Sequence, residues 1–431
     1  MRAAAPAGRH WTWIAVGAIA AGLVLRLVWV LVLHPPFEHV YSDMAGYVDR
    51  ATKLVETGEL ERYDAFYPPG VHLLLAVPLA IFGPDRGGLW AASVLWAVLS
   101  GLTPFFMWRL TYLLLTPAAA ALTAVLTALW PLHITSAGYF LSETPSLTFL
   151  VASLAVGYLA DRSTGRAALA LAALAGLLGA AAVAMRPQFF LNLLVLAVPW
   201  LWAWRRKLRP LLAFTAAGAV IAAAVVAHNS LAADKLTGIS ENSGLTFFLG
   251  HCDARSVRTG TEPGPIFEFG APVAAQRGTG RRYEFPDRVV WEQGFFFRQA
   301  ANCIREDGVG HVRILGRSLV EMTSTTVIWP QSNEPRLKEV VNYTNVAYTV
   351  LLPVLLVGAF VLIRNHRRRG EGWGGEAILL AHLLCAFVMA LIFFGDPRFR
   401  MPYDVFGLAL LAAFIADSLF DARPAREPAA P

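Results

Sequence analysis

Residues 167–185 read AALALAALAGLLGAAAVAM and lie between Arg166 and Arg186 with no polar side chain among them. A helix of this length is about long enough to cross a hydrocarbon core of roughly 30 Å. Lipid offers no partner for a backbone N–H or C=O, so such a run is a helix or part of a closed barrel. The run lacks the alternation of a barrel strand. It therefore predicts a transmembrane helix.

Runs of the same kind recur along the 431 residues, of which 56% are hydrophobic and 15% charged. A soluble domain has about 25% charged residues, so this composition excludes a soluble protein. The predicted spans are residues 11–33, 88–114, 118–138, 144–160, 167–185, 188–204, 210–228, 346–363, 376–394 and 402–419. The predicted fold is an all-α polytopic membrane protein with about ten transmembrane helices. The first span is longer than the apolar core of a signal peptide, and no cleavage site follows it, which indicates an uncleaved anchor.

Basic residues set the predicted orientation, because Lys and Arg concentrate in cytoplasmic loops. With a cytoplasmic N-terminus every short inside segment is basic, whereas the first outside loop is acidic. The basic inside residues are Arg2, Arg9, Arg162, Arg166, Arg205, Arg206, Lys207, Arg209, Arg364, Arg367, Arg368, Arg369, Arg423 and Arg426. We therefore expect a plasma (inner) membrane protein with both termini in the cytoplasm. The net charge of +6 follows from this topology, and no aromatic–basic patch indicates nucleic acid.

The distribution of polar segments predicts the domain organisation. An N-terminal transmembrane core at 1–228 includes an outside loop at 34–87. An extracytoplasmic domain follows at 229–345, then C-terminal transmembrane helices at 346–420 and a disordered cytoplasmic tail at 421–431. Within the first outside loop, Val71–Phe82 is apolar but too short to span, so we expect it to lie in the interface or to re-enter the membrane.

The predicted extracytoplasmic domain is small and either α/β or irregular. Its sequence indicates a β-like run at Leu245–Leu249, an irregular Gly/Pro-rich stretch at Gly260–Pro286, and helices at about 288–305 and 310–327.

Two of the three cysteines, Cys252 and Cys303, fall in this domain. A disulfide persists in an oxidising compartment, and closing a loop of this length contributes about 4 kcal/mol in the chain-entropy model. The alternative is a pair of unbonded buried thiols. Cys385 lies inside a span, where we interpret it as a packing residue.

Polar residues at span ends are candidates for function, because charge near the membrane interior is costly. Asp43, Glu143, Arg186, Arg398 and Arg400 all map to the predicted outside face, where arginines are disfavoured. A carboxylate can take a proton from an attacking hydroxyl, and arginines can hold a departing phosphate. The alternatives are helix capping for the two acids and lipid headgroup binding for the three arginines.

Short motifs follow one another along almost the whole chain. They are Leu25-Arg26-Leu27, Ser42-Asp43 with Tyr47, Tyr67-Pro68-Pro69-Gly70, Ser142-Glu143-Thr144, Met185-Arg186-Pro187, Asn242-Ser243-Gly244 and Gly395-Asp396-Pro397-Arg398-Phe399-Arg400-Met401-Pro402. In this order they resemble the GT-C superfamily of polyprenyl-phosphate-sugar glycosyltransferases, which includes protein O-mannosyltransferases and the aminoarabinose transferases of lipid A. Met44 and Tyr67 depart from the acidic residue and the lysine usual in those groups, which argues against either acceptor.

The resemblance implies an extracytoplasmic transferase with a GT-C-like fold. It would move a sugar from a polyprenyl-phosphate donor to a hydroxyl of a lipid, glycan or protein acceptor among membrane lipids, with inversion. Asp43 would be the general base and Glu143 the second catalytic candidate. The residues expected to hold phosphate are Arg186, Arg398 and Arg400, and those expected to line the substrate cavity are Tyr47, Tyr67 and His72.

The sequence leaves cofactor use and two other classes of function open. A divalent cation is possible, but no His/Cys/Asp cluster has metal-ligand spacing, so no cofactor is assigned. One alternative is a non-catalytic membrane component of a cell-envelope assembly complex. A secondary transporter is the other, although inverted repeats and helices broken near the midplane are not evident.

Overall fold

The computed structural model describes residues 9–260, 267–270, 280–325, 335–368 and 374–420. The α-helices of these ranges are α1 (Arg9–Val28), α2 (Asp43–Thr57), α3 (Gly70–Phe82), α4 (Arg86–Leu114), α5 (Pro117–Leu129), α6 (Pro131–Thr135), α7 (Glu143–Arg162), α8 (Gly165–Met185), α9 (Phe190–Trp202), α10 (Trp204–Ala233), α11 (Ser243–His251), α12 (Gln293–Asp307), α13 (His311–Met322), α14 (Pro335–Arg368), α15 (Gly374–Ile392), α16 (Pro397–Arg400) and α17 (Asp404–Leu419). The strands are β1 (Ala254–Thr259), β2 (Phe267–Gly270) and β3 (Arg281–Phe285).

The chain is a multi-pass membrane protein. Within the described ranges, eight helices are long and apolar enough to cross a bilayer: α1 with its continuation to Glu38, α4, α7, α8, α10, α14, α15, and α16 continuing into α17. The pair formed by α5 and α6 passes the same test together but is bent by 51°. The sixth predicted span, 188–204, corresponds to the shorter apolar helix Pro187–Trp202. Helix α3 is also a short apolar helix, in agreement with its predicted length.

The bend between α5 and α6 has a specific polar partner, Arg26 of α1. The guanidinium donates to the carbonyl oxygens of Thr127 and Ala128 at 3.3 and 2.7 Å, and to Ser100 Oγ at 2.7 Å. These are carbonyls at the end of α5, which Pro131 prevents from continuing as a regular helix. Because lipid cannot satisfy such groups, the buried arginine stabilises the broken span.

Helix α7 lies at the centre of the transmembrane region and packs against α4, α8 and α9. Its side chains are buried along nearly the whole helix. Small residues allow neighbouring helices to approach closely. At Gly176 of α8, for example, the backbone of Phe214 in α10 leaves no room for a Cβ atom.

The loop domain, which begins after α10, combines α11–α13 with a three-stranded sheet of order β2-β1-β3. Strand β1 pairs antiparallel with β2 and parallel with β3. Its hydrophobic core includes Leu245, Phe248, Val257 and Phe296. The part of the stretch 260–286 that the structure describes therefore contains two strands, β2 and β3, so the prediction of an irregular segment was wrong there.

The β-like assignment of Leu245–Leu249 was also wrong, because the run lies within α11. A short continuous apolar run fits a buried strand or a buried helix equally well. The tertiary structure favours the helix, since Leu245, Phe248 and Cys252 recur at helical spacing and are buried in one cluster. The two predicted helices that follow are present as α12 and α13, whereas residues 421–431 lie outside the described residues.

In the structure Cys252 and Cys303 form a disulfide, with 5.3 Å between their Cα atoms. The bond joins the end of α11 to α12 across a sequence separation of 51 residues. It holds together the two helices that pack most closely within the loop domain.

Replacing Cys303 with Ser is expected to destabilise the loop domain by about 2–4 kcal/mol, because the unfolded loop regains its conformational freedom. Limited proteolysis without reductant measures this effect, and cleavage should concentrate in residues 243–307. The matched control is Cys385→Ala, which removes the free buried thiol. Equal protease resistance in Cys303→Ser and wild type would contradict the prediction.

Candidate functional site

A cavity of about 250 Å³ lies where the loop domain meets the ends of the membrane-spanning helices. We call this end of the molecule the site face. Polar and charged residues from five parts of the chain line it: Asp43, Tyr47, Tyr67, Ser142, Arg186, Gln188, Ser240, Asn242, Ser243, Thr246 and Arg398. The apolar lining residues are Phe66, Pro68, Met185, Pro187, Leu245, Leu249, Met389, Phe393, Phe394 and Phe399. The cavity thus combines charged side chains with apolar ones.

Four charged side chains in and beside this cavity alternate in sign. Arg398 Nη1 lies 2.7 Å from Asp43 Oδ2, and its Nε donates to the carboxylate of Glu143. Arg186 Nη1 lies 2.7 Å from the same Glu143 oxygen, Oε1. Two carboxylates and two guanidinium groups therefore form one continuous network with no net charge. Charge-assisted bonds of this kind hold each group in a defined orientation.

Each member of the network stands at the end of a helix. Asp43 opens α2 after Ser42, whose φ of +50° lies in a region that non-glycine residues seldom adopt. Glu143 opens α7, and Arg186 closes α8 before Pro187. Since helices that cross a membrane alternate in direction, these ends meet at the site face.

Arg398 is oriented by its own helix cap. Asp396 Oδ1 accepts a hydrogen bond from the Arg398 backbone N–H at 2.7 Å, and Pro397 occupies the first position of α16. Burial raises the pKa of the Asp396 carboxyl to about 6, against the lowering effects of that hydrogen bond and of the Arg398 charge. The cap directs the Arg398 side chain towards Asp43 and Glu143.

Glu143 does not line this cavity, although it was predicted as the second catalytic residue. Its side chain is 1% exposed and accepts bonds from Arg186, Arg398 and Ser142 Oγ. Ser142 makes no capping bond to α7. A carboxylate enclosed by two arginines has no access to an acceptor hydroxyl. The geometry instead makes Glu143 the anchor of both arginines.

Arg400 does not reach the cavity either, so its position does not fit the predicted contact with phosphate. Its buried guanidinium donates to Asp404 Oδ1 at 3.0 Å, to Asn345 Oδ1 at 2.9 Å and to the Met322 carbonyl at 3.3 Å. It also lies 4.6 Å from the ring centroid of Tyr348. Arg400 thus connects α13, α14 and α17. The spacing of Arg400 and Asp404, four residues apart, is the sequence signal for this pair.

His72, predicted in the cavity lining, is buried in the first turn of α3 away from the cavity. Within the described residues neither ring nitrogen has a hydrogen-bond partner. Its ring centroid lies 5.4 Å from that of His228 in α10. The first turn of α3 faces α10 at this point, so the His72 ring contacts α10 and does not line the cavity.

The two predicted tyrosines do line the cavity, and Arg50, which the sequence did not single out, lies directly behind them. The Arg50 guanidinium lies 5.2, 5.6 and 5.1 Å from the ring centroids of Tyr47, Tyr63 and Tyr67. Attraction between a cation and the ring faces holds the tyrosines in place. Asp43, Tyr47 and Arg50 share one face of α2, a spacing that is visible in the sequence.

Both tyrosines keep their phenolic protons at neutral pH. Burial, reinforced by the charge of Asp43, raises the pKa of Tyr47 to about 12. The same two causes hold the pKa of Tyr67 well above its usual value. The Tyr47 hydroxyl is therefore available as a hydrogen-bond donor or acceptor at the wall of the cavity, whereas the Tyr67 hydroxyl is hydrogen-bonded to Tyr63.

The donor set of the cavity does not form a metal site. Within the described ranges no three His, Cys, Asp or Glu side chains lie close enough to hold a metal ion. Among the described lining residues Asp43 supplies the single carboxylate, and Arg398 is bound to it.

The chain shares its fold with solved structures of a membrane oligosaccharyltransferase. The chain superposes on the crystal structure of the Archaeoglobus fulgidus oligosaccharyltransferase in complex with zinc and sulfate, with a TM-score of 0.54 and 14% identity over 95% of this chain and 49% of that chain. For the archaeal oligosaccharyltransferase AglB from A. fulgidus in complex with an inhibitory peptide and a dolichol-phosphate, the TM-score is 0.53, with 13% identity over 96% of this chain and 52% of that chain.

A third solved structure is similar over a larger share of its own length. ArnT from Cupriavidus metallidurans bound to undecaprenyl phosphate matches with a TM-score of 0.42 and 15% identity, covering 97% of this chain and 82% of that chain. This chain spans about half the length of the oligosaccharyltransferases. No protein-family model matches the sequence, and no curated protein matches it. The comparisons therefore show the fold alone.

Proposed function

We propose that this protein is a glycosyltransferase that moves a sugar from a polyprenyl-phosphate donor to an acceptor hydroxyl. The observation that carries the proposal is the meeting of Asp43, Arg186 and Arg398 in one cavity that apolar residues also line. A lipid-linked sugar phosphate needs charged groups for its phosphate and an apolar surface for its lipid chain. The proposal agrees with the GT-C fold, and the AglB structure contains a dolichol-phosphate.

In the proposed mechanism Asp43 accepts the proton of the acceptor hydroxyl. The hydroxyl oxygen attacks the anomeric carbon of the donor from the side opposite the phosphate. The new C–O bond forms as the bond between that carbon and the phosphate oxygen breaks, which inverts the anomeric configuration. The bonding electrons leave with the phosphate, and Arg186 and Arg398 neutralise the charge that it gains.

The ion pair between Arg398 and Asp43 links donor binding to the activation of the base. Arg398 contacts Asp43 through Nη1 and Glu143 through Nε. A donor phosphate would compete with Asp43 for Nη1, while Glu143 keeps the guanidinium in place. The phosphate thereby releases the Asp43 carboxylate at the moment when a base is required.

The apolar residues of the cavity would hold the lipid next to the phosphate. Phe399 lies directly beside a candidate phosphate ligand, because its ring centroid is 5.5 Å from the guanidinium of Arg186. Met389, Phe393 and Phe394 extend the apolar surface along the end of α15. A polyprenyl chain can bury its first units there while its phosphate meets the arginines.

The direct test is turnover by purified protein. Incubation with a panel of polyprenyl-phosphate sugars and candidate acceptors should release polyprenyl phosphate, detected by mass spectrometry. A non-catalytic membrane component would bind the lipid without releasing it. Absence of release with every donor, despite lipid binding, would overturn the transferase proposal in favour of that alternative.

Arg398→Ala and Arg186→Ala are each expected to weaken donor binding as well as turnover, because the phosphate is present in both the ground state and the transition state. Binding of polyprenyl phosphate and initial rates in nanodiscs measure the two effects. Arg209→Ala, an exposed arginine of α10 far from the cavity lining, is the control. Unchanged donor affinity in both cavity variants would contradict their role as phosphate ligands.

We further propose that the site face is extracytoplasmic, as the basic loops at the opposite helix ends indicate. In a Cys385→Ala background, cysteines at Thr57 and Val309 should react in intact cells with a thiol reagent that does not cross membranes. A cysteine at Thr164, between α7 and α8, should be protected. Labelling of Thr164 but not of Thr57 or Val309 would reverse the orientation.

A further inference from the structure

A second cavity, of about 490 Å³, lies in the loop domain beside the first. We call it the outer cleft. It is formed by the segment that follows α10 and by the beginning of α12, and its lining residues are Lys235, Leu236, Thr237, Gly238, Glu241, Trp291, Glu292, Gln293, Gly294, Phe295 and Arg298.

The outer cleft is built around a buried carboxylate. Glu241 is 1% exposed. Its Oε2 lies 2.6 Å from Arg62 Nη2, while Oε1 lies 3.2 Å from Lys235 Nζ and accepts a bond from Thr237 Oγ1 at 3.2 Å. The guanidinium of Arg62 also lies 5.3 Å from the ring centroid of Trp291. The Glu241 carboxylate, the Arg62 guanidinium and the Trp291 indole therefore hold one another in place, which gives the cleft a defined shape.

A wall about one residue thick separates the outer cleft from the cavity that contains Asp43. Ser240 and Asn242 line the first cavity, whereas Glu241, between them, lines the cleft. Gln293 Nε2 donates to the Ser240 carbonyl at 3.3 Å. The backbone of Gln293 leaves no room for a Cβ atom at Gly244. A ligand bound in the outer cleft is thus held beside the candidate active site.

The groups in the cleft suit a neutral, hydroxyl-rich ligand. Glu241 is paired with Lys235 and Arg62, and Glu292 is paired with Arg288. Because these cations are already engaged with carboxylates of the protein, they do not favour a phosphate or an acidic ligand. Gln293 and the lysine and arginine side chains can donate hydrogen bonds, Glu292 can accept them, and Trp291 adds an aromatic surface. Sugars present many hydroxyl groups around an apolar ring face, a combination that matches such a lining.

We infer that the outer cleft binds the carbohydrate portion of a glycan acceptor and directs its terminal hydroxyl over the Ser240–Asn242 wall towards Asp43. This inference rests on the proposed transferase function, since it names the acceptor class for the same site. It concerns binding, however, and can be tested without turnover.

The test measures binding of neutral di- to tetrasaccharides of hexoses, N-acetylhexosamines and pentoses to the full chain in nanodiscs, by saturation-transfer NMR. Peptides are measured in parallel. Gly238→Trp should fill the cleft, because a Cβ at Gly238 meets open space. Gly316→Trp is the matched control, since Gly316 of α13 is equally open and lines neither cavity. Asp43→Asn separates binding from catalysis.

Wild type, Gly316→Trp and Asp43→Asn should bind at least one neutral glycan, and Gly238→Trp should weaken that binding by about tenfold or more. Glu292→Gln should change the preference among glycans while leaving the fold intact. The inference is overturned if no glycan binds to wild type, if Gly238→Trp binds as wild type does, or if peptides compete at the cleft instead. Glycan binding without transfer would overturn only the proposed chemistry.

Discussion

Asp43→Asn is expected to lower transferase turnover by at least about 100-fold while the donor lipid still binds. General-base assistance typically contributes about 10² to 10⁴ in rate. Asparagine keeps the size of the side chain and can still accept a bond from Arg398, but it cannot take the proton. Arg398 also retains Glu143, which is bound through Nε. The charged network should therefore keep its structure.

Three measurements decide this prediction: turnover, polyprenyl-phosphate binding and thermal unfolding of purified Asp43→Asn. Asp49→Asn is the matched control, because Asp49 is an exposed residue of the same helix that does not line the cavity. Near-full turnover in Asp43→Asn would show that Asp43 serves only as the first residue of α2 and takes no part in catalysis. Since Glu143 is enclosed, the base would then have to come from the acceptor or from another lining group.

Glu143→Ala is expected to lower the free energy of unfolding by about 3–5 kcal/mol and to abolish turnover. Removing one partner of a buried ion pair leaves an uncompensated buried charge. Here the change leaves Arg186 without its carboxylate and Arg398 with Asp43 alone. Arg398 would then bind Asp43 more firmly, so the base would be less available even in the folded fraction.

Glu38→Ala is the control for Glu143→Ala, because it removes an exposed ion pair in which Arg86 Nη2 lies 3.3 Å from Glu38 Oε1. Such exposed pairs contribute about 0–1 kcal/mol. Denaturation in mixed micelles compares the stability of the two variants. Glu143→Gln tests whether hydrogen bonds from a neutral side chain are enough to stabilise the two arginines. If Glu143→Ala unfolds like wild type and loses only rate, Glu143 acts in the chemistry rather than as an anchor.

The membrane-spanning character of the chain was predictable because it depends on local composition. An apolar run such as 167–185 must be helical wherever it lies in a bilayer. The prediction failed where tertiary contacts choose between two structures, at Leu245–Leu249. The bend after α5 was missed because its stabilising partner, Arg26, is distant in sequence.

The sequence by itself determined which polar residues stand at the site face, because helices that cross a membrane must alternate in direction. Only the tertiary structure decided what each residue contacts there. Arg398 and Arg400 are two positions apart, yet one contacts Asp43 and the other is enclosed with Asp404. Neighbouring side chains point in different directions around a helix, and the packing of other helices decides which direction meets the cavity.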